Sequence, residues 1–164
     1  MNLRDAVAAL RPENFRLGEL FLRPIADDND LWYATVECRL KPGQEDYVNP
    51  AGFSIGRAYL HPENHIPCVI CHSSGRPIGY LVLRTWGGNR NANSWSYYLD
   101  AKEQGKGYGR AAAQLAVQVL KAADPAAGIC LAVEADNCAA QRLYESLGFR
   151  RQEEKDGDDL IYAL

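Results

Sequence analysis

Residues 94–133, SWSYYLDAKEQGKGYGRAAAQLAVQVLKAADPAAGICLAV, decide the fold. The aromatic-rich run SWSYYL (94–99) is typical of a β-strand, and RAAAQLAVQVLKAA (110–123) is an alanine-rich segment of high helix propensity. The continuously apolar run GICLAV (128–133) follows closely and is typical of a strand covered on both faces. Strand, helix and strand in this order predict a β-α-β crossover, so the sheet should contain a parallel pair.

The segments before this crossover predict helices followed by an antiparallel meander. PCVICH (67–72) and IGYLVLRTW (78–86) are β-rich runs separated by turn residues, which predicts a hairpin. Upstream, 17–25 alternates like a first strand and 3–10 is typical of a short helix. Two further helices are expected, with Asp27, Asp28 and Asn29 as cap candidates before LWYATVEC and with Asn49-Pro50 before AGFSIGRAYL.

The segments after the crossover predict a helix and a closing hairpin. CAAQRLYESL (138–147) is typical of a helix that ends at Gly148. FRRQE (149–153) and LIYAL (160–164), joined through Asp156-Gly157, form the predicted hairpin. The chain is therefore expected to be an α/β (α+β) protein, with a mixed, mostly antiparallel central sheet of about seven strands flanked by helices.

Composition limits the classes of protein and of partner. With 164 residues, 47% of them hydrophobic, and no repeat or linker, residues 1–164 are expected to form a single domain. A net charge of -3 gives no electrostatic reason to bind nucleic acid or an anionic membrane. No apolar run approaches membrane-spanning or signal-peptide length, so we expect a cytoplasmic protein. The sequence leaves open whether the chain forms a homodimer.

The glycine-rich segment 100–109, DAKEQGKGYG, is a candidate phosphate site. Glycine allows positive φ and close backbone approach, so N–H groups at a helix N-terminus can converge on a pyrophosphate. Lys106 and Arg110 add positive charge there. A mononucleotide P-loop is excluded because Gly107, not Ser or Thr, follows Lys106.

A dinucleotide fingerprint is the closer alternative. Gly107, Gly109 and Ala112 fit G-x-G-x-x-A, and Glu134 follows about twenty residues later. A polar stretch, however, separates the strand from its first glycine, and only 52 residues follow Ala112. These are too few for the remaining units of a dinucleotide fold, so this alternative is disfavoured.

Two motifs in register carry a specific resemblance. Residues 104–109, QGKGYG, match the Gln/Arg-x-x-Gly-x-Gly/Ala signature of the GCN5-related N-acetyltransferases. Asn137-x-x-Ala-x-x-Leu-Tyr144-x-x-x-Gly-Phe149 resembles that family's second motif at the expected distance. The resemblance is clearest from about Val69 to the C-terminus. It implies the family fold, splayed between the predicted strands 94–99 and 128–133, and acetyl-CoA as co-substrate without a metal.

The resemblance also implies residue roles. Backbone N–H groups of the glycine loop would hold the coenzyme A pyrophosphate, and the end of strand 94–99 would pair with the pantetheine arm. Tyr144 would protonate the departing thiolate, and an N–H of Leu99 or a neighbour would stabilise the oxyanion. The general base is left open among Glu134, Asp100 and Tyr97. The cofactor residues implied are Leu99, Asp100, Ala101, Gln104, Gly105, Lys106, Gly107, Tyr108, Gly109, Arg110, Asn137 and Tyr144.

The acceptor is the least determined feature. Aromatic candidates for its pocket are Trp32, Tyr59, Trp86 and Tyr97, with the loop 86–93 beside them. The acidic chain favours a small cationic amine, a polyamine or diamine, although Trp95 stands where polyamine acetyltransferases of this family can carry an acid. An amino acid, an aminoglycoside and a protein N-terminus stay open. A non-catalytic acyl-CoA-binding sensor or interaction module is the alternative function.

Three other patterns have ordinary explanations. Cys68 and Cys71 have CxxC spacing, but on a strand they point to opposite faces, and buried reduced thiols are expected. His61 and His65 suggest a metal pair, yet Pro62 disfavours the helix that would align them. The acidic run 153–159 is expected to be a solvated turn.

Overall fold

A computed structural model describes residues 1–88 and 90–164. Eight strands form an open sheet in the order β1-β2-β3-β4-β5-β6-β8-β7. All neighbouring strands are antiparallel except β5 and β6, which are parallel. The strands are β1 (Arg16–Leu17), β2 (Leu20–Pro24), β3 (His65–His72), β4 (Pro77–Thr85), β5 (Ala92–Leu99), β6 (Gly128–Val133), β7 (Arg150–Asp156) and β8 (Asp159–Ala163).

Helices cover both faces of the sheet. Helix α2 continues into a π-helical turn, Tyr33–Glu37, and short 3-10 turns occur at Pro12–Phe15, Gln44–Tyr47 and Ala101–Glu103. The α-helices are α1 (Leu3–Ala8), α2 (Asp28–Trp32), α3 (Ala51–Leu60), α4 (Tyr108–Ala123) and α5 (Cys138–Ser146).

The predicted mixed sheet with its crossover is confirmed, and the strand count differs by one. The predicted strand 17–25 is two strands, because Gly18 takes φ +56° and turns the chain between β1 and β2. Asp27 caps α2 through its side chain, as expected, whereas Pro50 rather than Asn49 occupies the cap position of α3. The C-terminal hairpin turns at Gly157 and Asp158, and α5 stops at Gly148 with φ +96°.

The parallel pair is short, and this creates the main opening in the molecule. Only Ala92 and Asn93 of β5 pair with Gly128 and Ile129 of β6. Beyond these residues the two strands separate, and β6 continues its pairing with β8 alone. The predicted splay between these strands is therefore confirmed.

The core lies on both faces of the sheet. On one face α4 buries Leu115 and Val119 against the sheet, together with Trp95 and Leu99 of β5. On the other face Ala34 and Ala51, from the π turn and α3, pack with Tyr80 and Val82 of β4. Cys68 belongs to the first of these clusters and Cys71 to a third, beside Tyr33 and Cys38, so the two thiols are buried apart, as expected.

No helix among the described residues is long and apolar enough to cross a membrane.

Candidate functional site

The splay between β5 and β6 is the entrance to a cleft of about 820 Å³. One wall is formed by residues 95–99 of β5 and the other by residues 131–134 at the end of β6, with α5 behind it. The segment 44–49 lies across the top. The predicted cofactor and catalytic residues that the cleft brings together are Leu99, Gln104, Gly109, Glu134, Asn137 and Tyr144.

Along this cleft the strand ladder of β5 is formed with β4 only, and the carbonyl of Leu99 accepts from the Gln104 side chain. The carbonyl of Ala92 accepts from Trp86 and the N–H of Asp100 donates to Ile78, so the even-numbered residues face β4. Alternation along a strand then directs the main-chain groups of Trp95, Tyr97 and Leu99 towards the splay. This edge is suited to pairing with an extended, amide-bearing arm.

Two of the residues implied as cofactor contacts have their main-chain N–H groups in use within the protein. The N–H of Asp100 bonds to β4, and the N–H of Ala101 donates to the carbonyl of Arg39 at 2.7 Å. The Asp100 side chain is buried and accepts from the N–H of Lys102 at 3.0 Å. Of residues 99–101, Leu99 is therefore the one whose main chain faces the cleft, and Asp100 acts as a cap rather than a cleft acid.

The glycine loop has the geometry of an anion cradle at a helix N-terminus. Gly105 takes φ +78° and Gly107, the N-cap of α4, takes φ +84°. A Cβ atom at either position would meet no atom within 4 Å, so the space above both glycines is open. The first N–H groups of α4 lack intrahelical acceptors and face this space with the positive end of the helix dipole. The residues thus fit a pyrophosphate.

The charges of this loop are distributed differently from the sequence expectation. Glu103 is buried, and its carboxylate bonds to Arg76 and to the Lys106 ammonium, the latter at 3.1 Å. Arg110 donates to the hydroxyl of Ser146 on α5. Lys106 is therefore partly neutralised by its own loop, which leaves the backbone N–H groups as the part of the loop best suited to an anion.

Gln104 connects three parts of the site. Its side-chain amide forms a reciprocal pair with Gln44, with N···O distances of 2.8 and 2.9 Å, and its Nε2 also donates to the carbonyl of Leu99 at 3.1 Å. The loop, the end of β5 and the segment 44–49 are thereby held together. The sequence identified Gln104, but Gln44 has no local signature and was missed.

Asn137 and Glu134 are coupled at the end of β6. Asn137 is the N-cap of α5, and its side-chain oxygen accepts from the N–H of Ala140 at 3.2 Å. Glu134 lines the cleft, and desolvation raises the pKa of its carboxyl, with the Asn137 side chain acting in the opposite direction. A carboxylate that lines the cleft and has a raised pKa is a stronger base than an ordinary glutamate, so it is suited to accept a proton there.

Tyr144 projects from α5 into an aromatic cluster at the cleft. Its ring meets Trp95 edge-on with centroids 6.1 Å apart and lies 5.8 Å from the ring of Phe149. Desolvation raises the pKa of the Tyr144 hydroxyl well above its ordinary value. The phenol therefore stays protonated at neutral pH and can donate a proton into the cleft.

A second cavity, of about 380 Å³, adjoins the cleft on the α3 face of the sheet. Tyr97, Tyr98 and Arg84 line both spaces, so the two spaces lie next to each other. Four residues of the lining carry cationic or imidazole side chains, and no acidic side chain of the described residues lines it. We call it the arginine cavity, after Arg57, Arg84, His61 and His65.

The aromatic acceptor candidates divide between these spaces and solvent. Tyr97 lines both, and its hydroxyl donates to the carbonyl of Gly109 at 3.0 Å. Trp32 and Tyr59 are 58% and 86% exposed and line neither, because their helices turn these side chains outwards. Trp86 is half-buried beside the Arg84 guanidinium and lies outside both linings. Asn89, in the predicted acceptor loop, lies outside the described residues.

Sequence reasoning missed Arg57, Arg84 and Ser54. Each lies on an element that was predicted, but only the packing of α3 over β4 brings them into one cavity. His65 begins β3, with its ring 6.1 Å from that of His61. Within residues 1–88 and 90–164, no group of three His, Cys, Asp or Glu side chains could hold a metal ion.

Comparisons with known proteins agree with this geometry. Residues 29–149 match the family model of the acetyltransferase (GNAT) family. Over 100 residues the chain is 30% identical to the mycothiol acetyltransferase of Kocuria rhizophila, a match covering 58% of this chain and 33% of that relative. The chain thus spans about a third of the length of this curated relative.

Solved structures share the fold. The crystal structure of spermidine N-acetyltransferase from Vibrio cholerae, in complex with CoA and spermine, aligns with a TM-score of 0.70 at 18% identity, over 88% of this chain and 94% of that one. An acetyltransferase from Agrobacterium tumefaciens aligns with a TM-score of 0.69 at 21% identity, over 91% and 92%. Since the family model spans both the glycine loop and the Asn137 motif, and these structures share the open sheet, this chain belongs to the acetyltransferase (GNAT) family.

Proposed function

We propose that this chain transfers the acetyl group of acetyl-CoA to the primary amine of a small molecule, directly and within a ternary complex. The observation that carries this proposal is that two spaces adjoin each other along β5. The glycine loop, the open edge of β5 and Tyr144 line or border the cleft, and the arginine cavity lies next to it on the other face.

The cofactor end of the cleft is formed by backbone. The N–H groups of the glycine loop and of the first turn of α4 would hold the pyrophosphate, and the outward main chain of Tyr97 and Leu99 would pair with the pantetheine arm. When bound, acetyl-CoA supplies an activated acyl group and a thiolate leaving group. Asn137, whose side chain also caps α5, stands at the far wall.

Three groups of the chain would perform the chemistry. The N–H of Leu99 faces the splay and would donate to the carbonyl oxygen as negative charge develops there. Tyr144 would donate its phenolic proton to the leaving sulfur, for which a protonated phenol in a desolvated site is suited. Glu134 would take the proton from the acceptor ammonium, directly or through water.

Direct transfer is supported by the state of the thiols. Burial raises the pKa of Cys68 to about 12 and that of Cys71 to about 11, so neither is a thiolate at neutral pH. Cys38 and Cys130 are also buried with raised pKa values. None of these four lines the cleft, which leaves no support for an acetyl-cysteine intermediate at these positions.

The diamine or polyamine expectation receives no support from the cavity lining. A polycation would be repelled by Arg57 and Arg84, although the cleft itself is lined by acidic residues, namely Glu45, Asp46, Glu134, Asp156 and Asp159. That the Vibrio cholerae structure contains spermine concerns that protein, at 18% identity. The acceptor proposed at this point is therefore a primary amine, without a narrower class.

The test has two arms. Calorimetry measures acetyl-CoA binding, and a thiol-release assay follows turnover over a panel of polyamines, amino acids, aminoglycosides and peptides with free N-termini. Binding with turnover on at least one amine is the expected result. Binding without turnover on any amine would instead favour a non-catalytic acyl-CoA-binding module, and absence of binding would contradict the assignment of the cleft.

A further inference from the structure

The arginine cavity concentrates positive charge without a carboxylate to balance it. Arg57 on α3 and Arg84 on β4 both line it, and no ion pair to an acidic side chain is formed by either among the described residues. Ordinary surface arginines can remain in water, but Arg84 is half-buried. Two guanidinium groups that share a cavity repel each other unless an anion lies between them.

The location of Arg84 directs its charge towards the acceptor side. It pairs with Ser94 in the β4–β5 register and lies on the same face as Tyr80 and Val82, which α3 covers. Burial and the nearby Arg57 lower the pKa of Arg84 from its ordinary value, although the guanidinium remains charged at neutral pH. Asp156 has a smaller effect in the opposite direction and forms no ion pair with Arg84.

His65 belongs to the wall of the arginine cavity and does not balance its charge. The residue is only 8% exposed, and its Nδ1 atom is buried without a hydrogen-bond partner. Because this nitrogen atom is itself buried, a ligand in the cavity would contact Arg57 and Arg84 rather than Nδ1. Burial, and then Arg57 and Arg84, lower the pKa of His65, so its imidazole is neutral and one ring nitrogen carries a proton.

From this arrangement we infer that the acceptor carries an anionic group, a carboxylate or a phosphate, which binds in the arginine cavity between Arg57 and Arg84 while its amine points into the cleft. The inference rests on the proposed acetyl transfer and narrows its substrate class. Guanidinium groups match the planar geometry of both oxyanions through paired N–H donors.

The charge distribution then orients such a substrate. Acidic side chains line the cleft, with Glu134 at the end of β6 and Asp156 and Asp159 in the closing hairpin, whereas the arginine cavity has basic ones. An amine with an anionic group at its other end would enter with the ammonium towards the acids. Arg84 lines both spaces and lies at the junction. A polyamine has no group for the basic end.

The first experiment measures binding without chemistry. Acetate and inorganic phosphate are titrated in a thermal-shift assay at saturating CoA, which occupies the pyrophosphate loop, on the wild type and on the variants Arg84→Gln, Arg57→Gln and Arg11→Gln. Arg11 is exposed and remote from the cavity, so it is the matched control for loss of a positive charge. At least one anion should raise the melting temperature of the wild type and of Arg11→Gln but not of Arg84→Gln.

The second experiment compares matched amines in the thiol-release assay. The pairs are lysine with 1,5-diaminopentane and O-phosphoethanolamine with ethanolamine. The anionic member of at least one pair should have a kcat/KM about tenfold or more higher, which corresponds to one charge-assisted hydrogen bond, and Arg84→Gln should abolish the preference. Arg84→Lys keeps the positive charge but lacks the paired N–H donors of a guanidinium group, so it should retain part of the preference for the anionic amine.

The outcomes separate this inference from the proposed function. Turnover without a preference for the anionic member of either pair, or with a preference that persists in Arg84→Gln, would overturn the inference and leave acetyl transfer standing. An Arg84-dependent anion shift without turnover would support the anion site and count against transfer. If Arg84 were merely structural, Arg84→Gln would melt lower without ligand; we expect an unchanged or higher melting temperature, because an unpaired charge is removed.

Discussion

Tyr144 combines two roles that can be separated by removing one atom. Its ring packs against Trp95 and Phe149, the residue lines the cleft, and burial raises the pKa of its hydroxyl. Loss of the ring would disturb the core, whereas loss of the hydroxyl alone removes only the proton donor. Phenylalanine is therefore the informative replacement.

Tyr144→Phe should lower kcat by about a hundredfold, within the range for loss of a general acid, and leave acetyl-CoA affinity nearly unchanged. Steady-state thiol release and calorimetry check the two quantities. The control is Tyr162→Phe, which removes a hydroxyl that donates to Glu145 at 2.9 Å, outside the cleft. A wild-type kcat in Tyr144→Phe would remove the acid role.

Glu134 should lower stability at neutral pH because its folded-state pKa is raised by desolvation above the ordinary 4.5. In the folded protein the protonated form is favoured, so this residue's contribution to stability falls as pH rises through that raised pKa. Glu134→Gln should be more stable than the wild type against urea at pH 7, with the difference shrinking towards pH 4. A difference that grows on acidification would contradict the raised pKa.

The residues that sequence reasoning identified are those whose role depends on local chain geometry. Gln104 lies in a contiguous loop, and Asn137 and Tyr144 share one short helix, so spacing alone positions them. Arg57 and Arg84 lie on separate elements and meet only through the packing of α3 over the sheet. No fixed sequence spacing relates Arg57 to Arg84, so the positive charge of the arginine cavity could not be predicted. The expected acceptor was therefore inferred from the net charge of the chain.

Among the elements of the fold, the glycine loop is the one whose proposed binding role depends on backbone conformation rather than on side chains. Gly107 has φ +84°, and a Cβ atom there would touch nothing in the protein itself. A side chain at this position would therefore strain the backbone and project into the space proposed for the pyrophosphate. Backbone strain can be separated from blocked ligand approach by substituting another glycine that also has a positive φ but lies away from the cleft.

Gly107→Val should weaken acetyl-CoA binding by at least about tenfold, because the side chain blocks backbone approach. Gly18→Val is the control, since Gly18 also has positive φ and open space around its Cβ position but lies in the β1–β2 turn. Both variants should lose comparable stability, about 1–2 kcal/mol, in urea denaturation. Equal acetyl-CoA affinity in the two variants would contradict the pyrophosphate assignment.

Elements with strong periodicity or composition were predicted closely, and those shaped by a single turn residue were not. The strand 128–133 has the predicted ends, and α4 begins two residues earlier than expected. Gly18 interrupts an otherwise alternating run, and a positive φ there is invisible to periodicity. The π turn after α2 likewise depends on packing around Tyr33 and Ala34 rather than on propensity.

In the molecule as a whole, α4 is the helix that connects the sheet to the N-terminal helix and turn. It buries one face against the sheet and also contacts α1 and the turn Pro12–Phe15. Its Leu115 is fully buried in the largest core cluster. A cavity at this position would therefore lower the free energy of unfolding of the protein.

Leu115→Ala should destabilise the protein by about 2–5 kcal/mol, the usual range for a buried leucine that leaves a cavity. Leu60→Ala is the control, since Leu60 is 70% exposed at the end of α3, and a change within about 0.5 kcal/mol is expected. Equilibrium urea denaturation measures both. A small effect at Leu115 would mean that α4 is not central to the core.

Because β5 pairs with β4 alone along the cleft, amide hydrogen exchange along this strand should show whether acetyl-CoA is bound. The N–H groups of Ser94, Ser96 and Tyr98 bond to β4, whereas those of Trp95, Tyr97 and Leu99 face the splay. Without ligand, deuterium uptake followed by NMR should therefore alternate along the strand, fast at the odd-numbered amides and slow at the even-numbered ones. Acetyl-CoA that pairs with this edge should slow the odd-numbered amides, so that exchange becomes uniform along the strand.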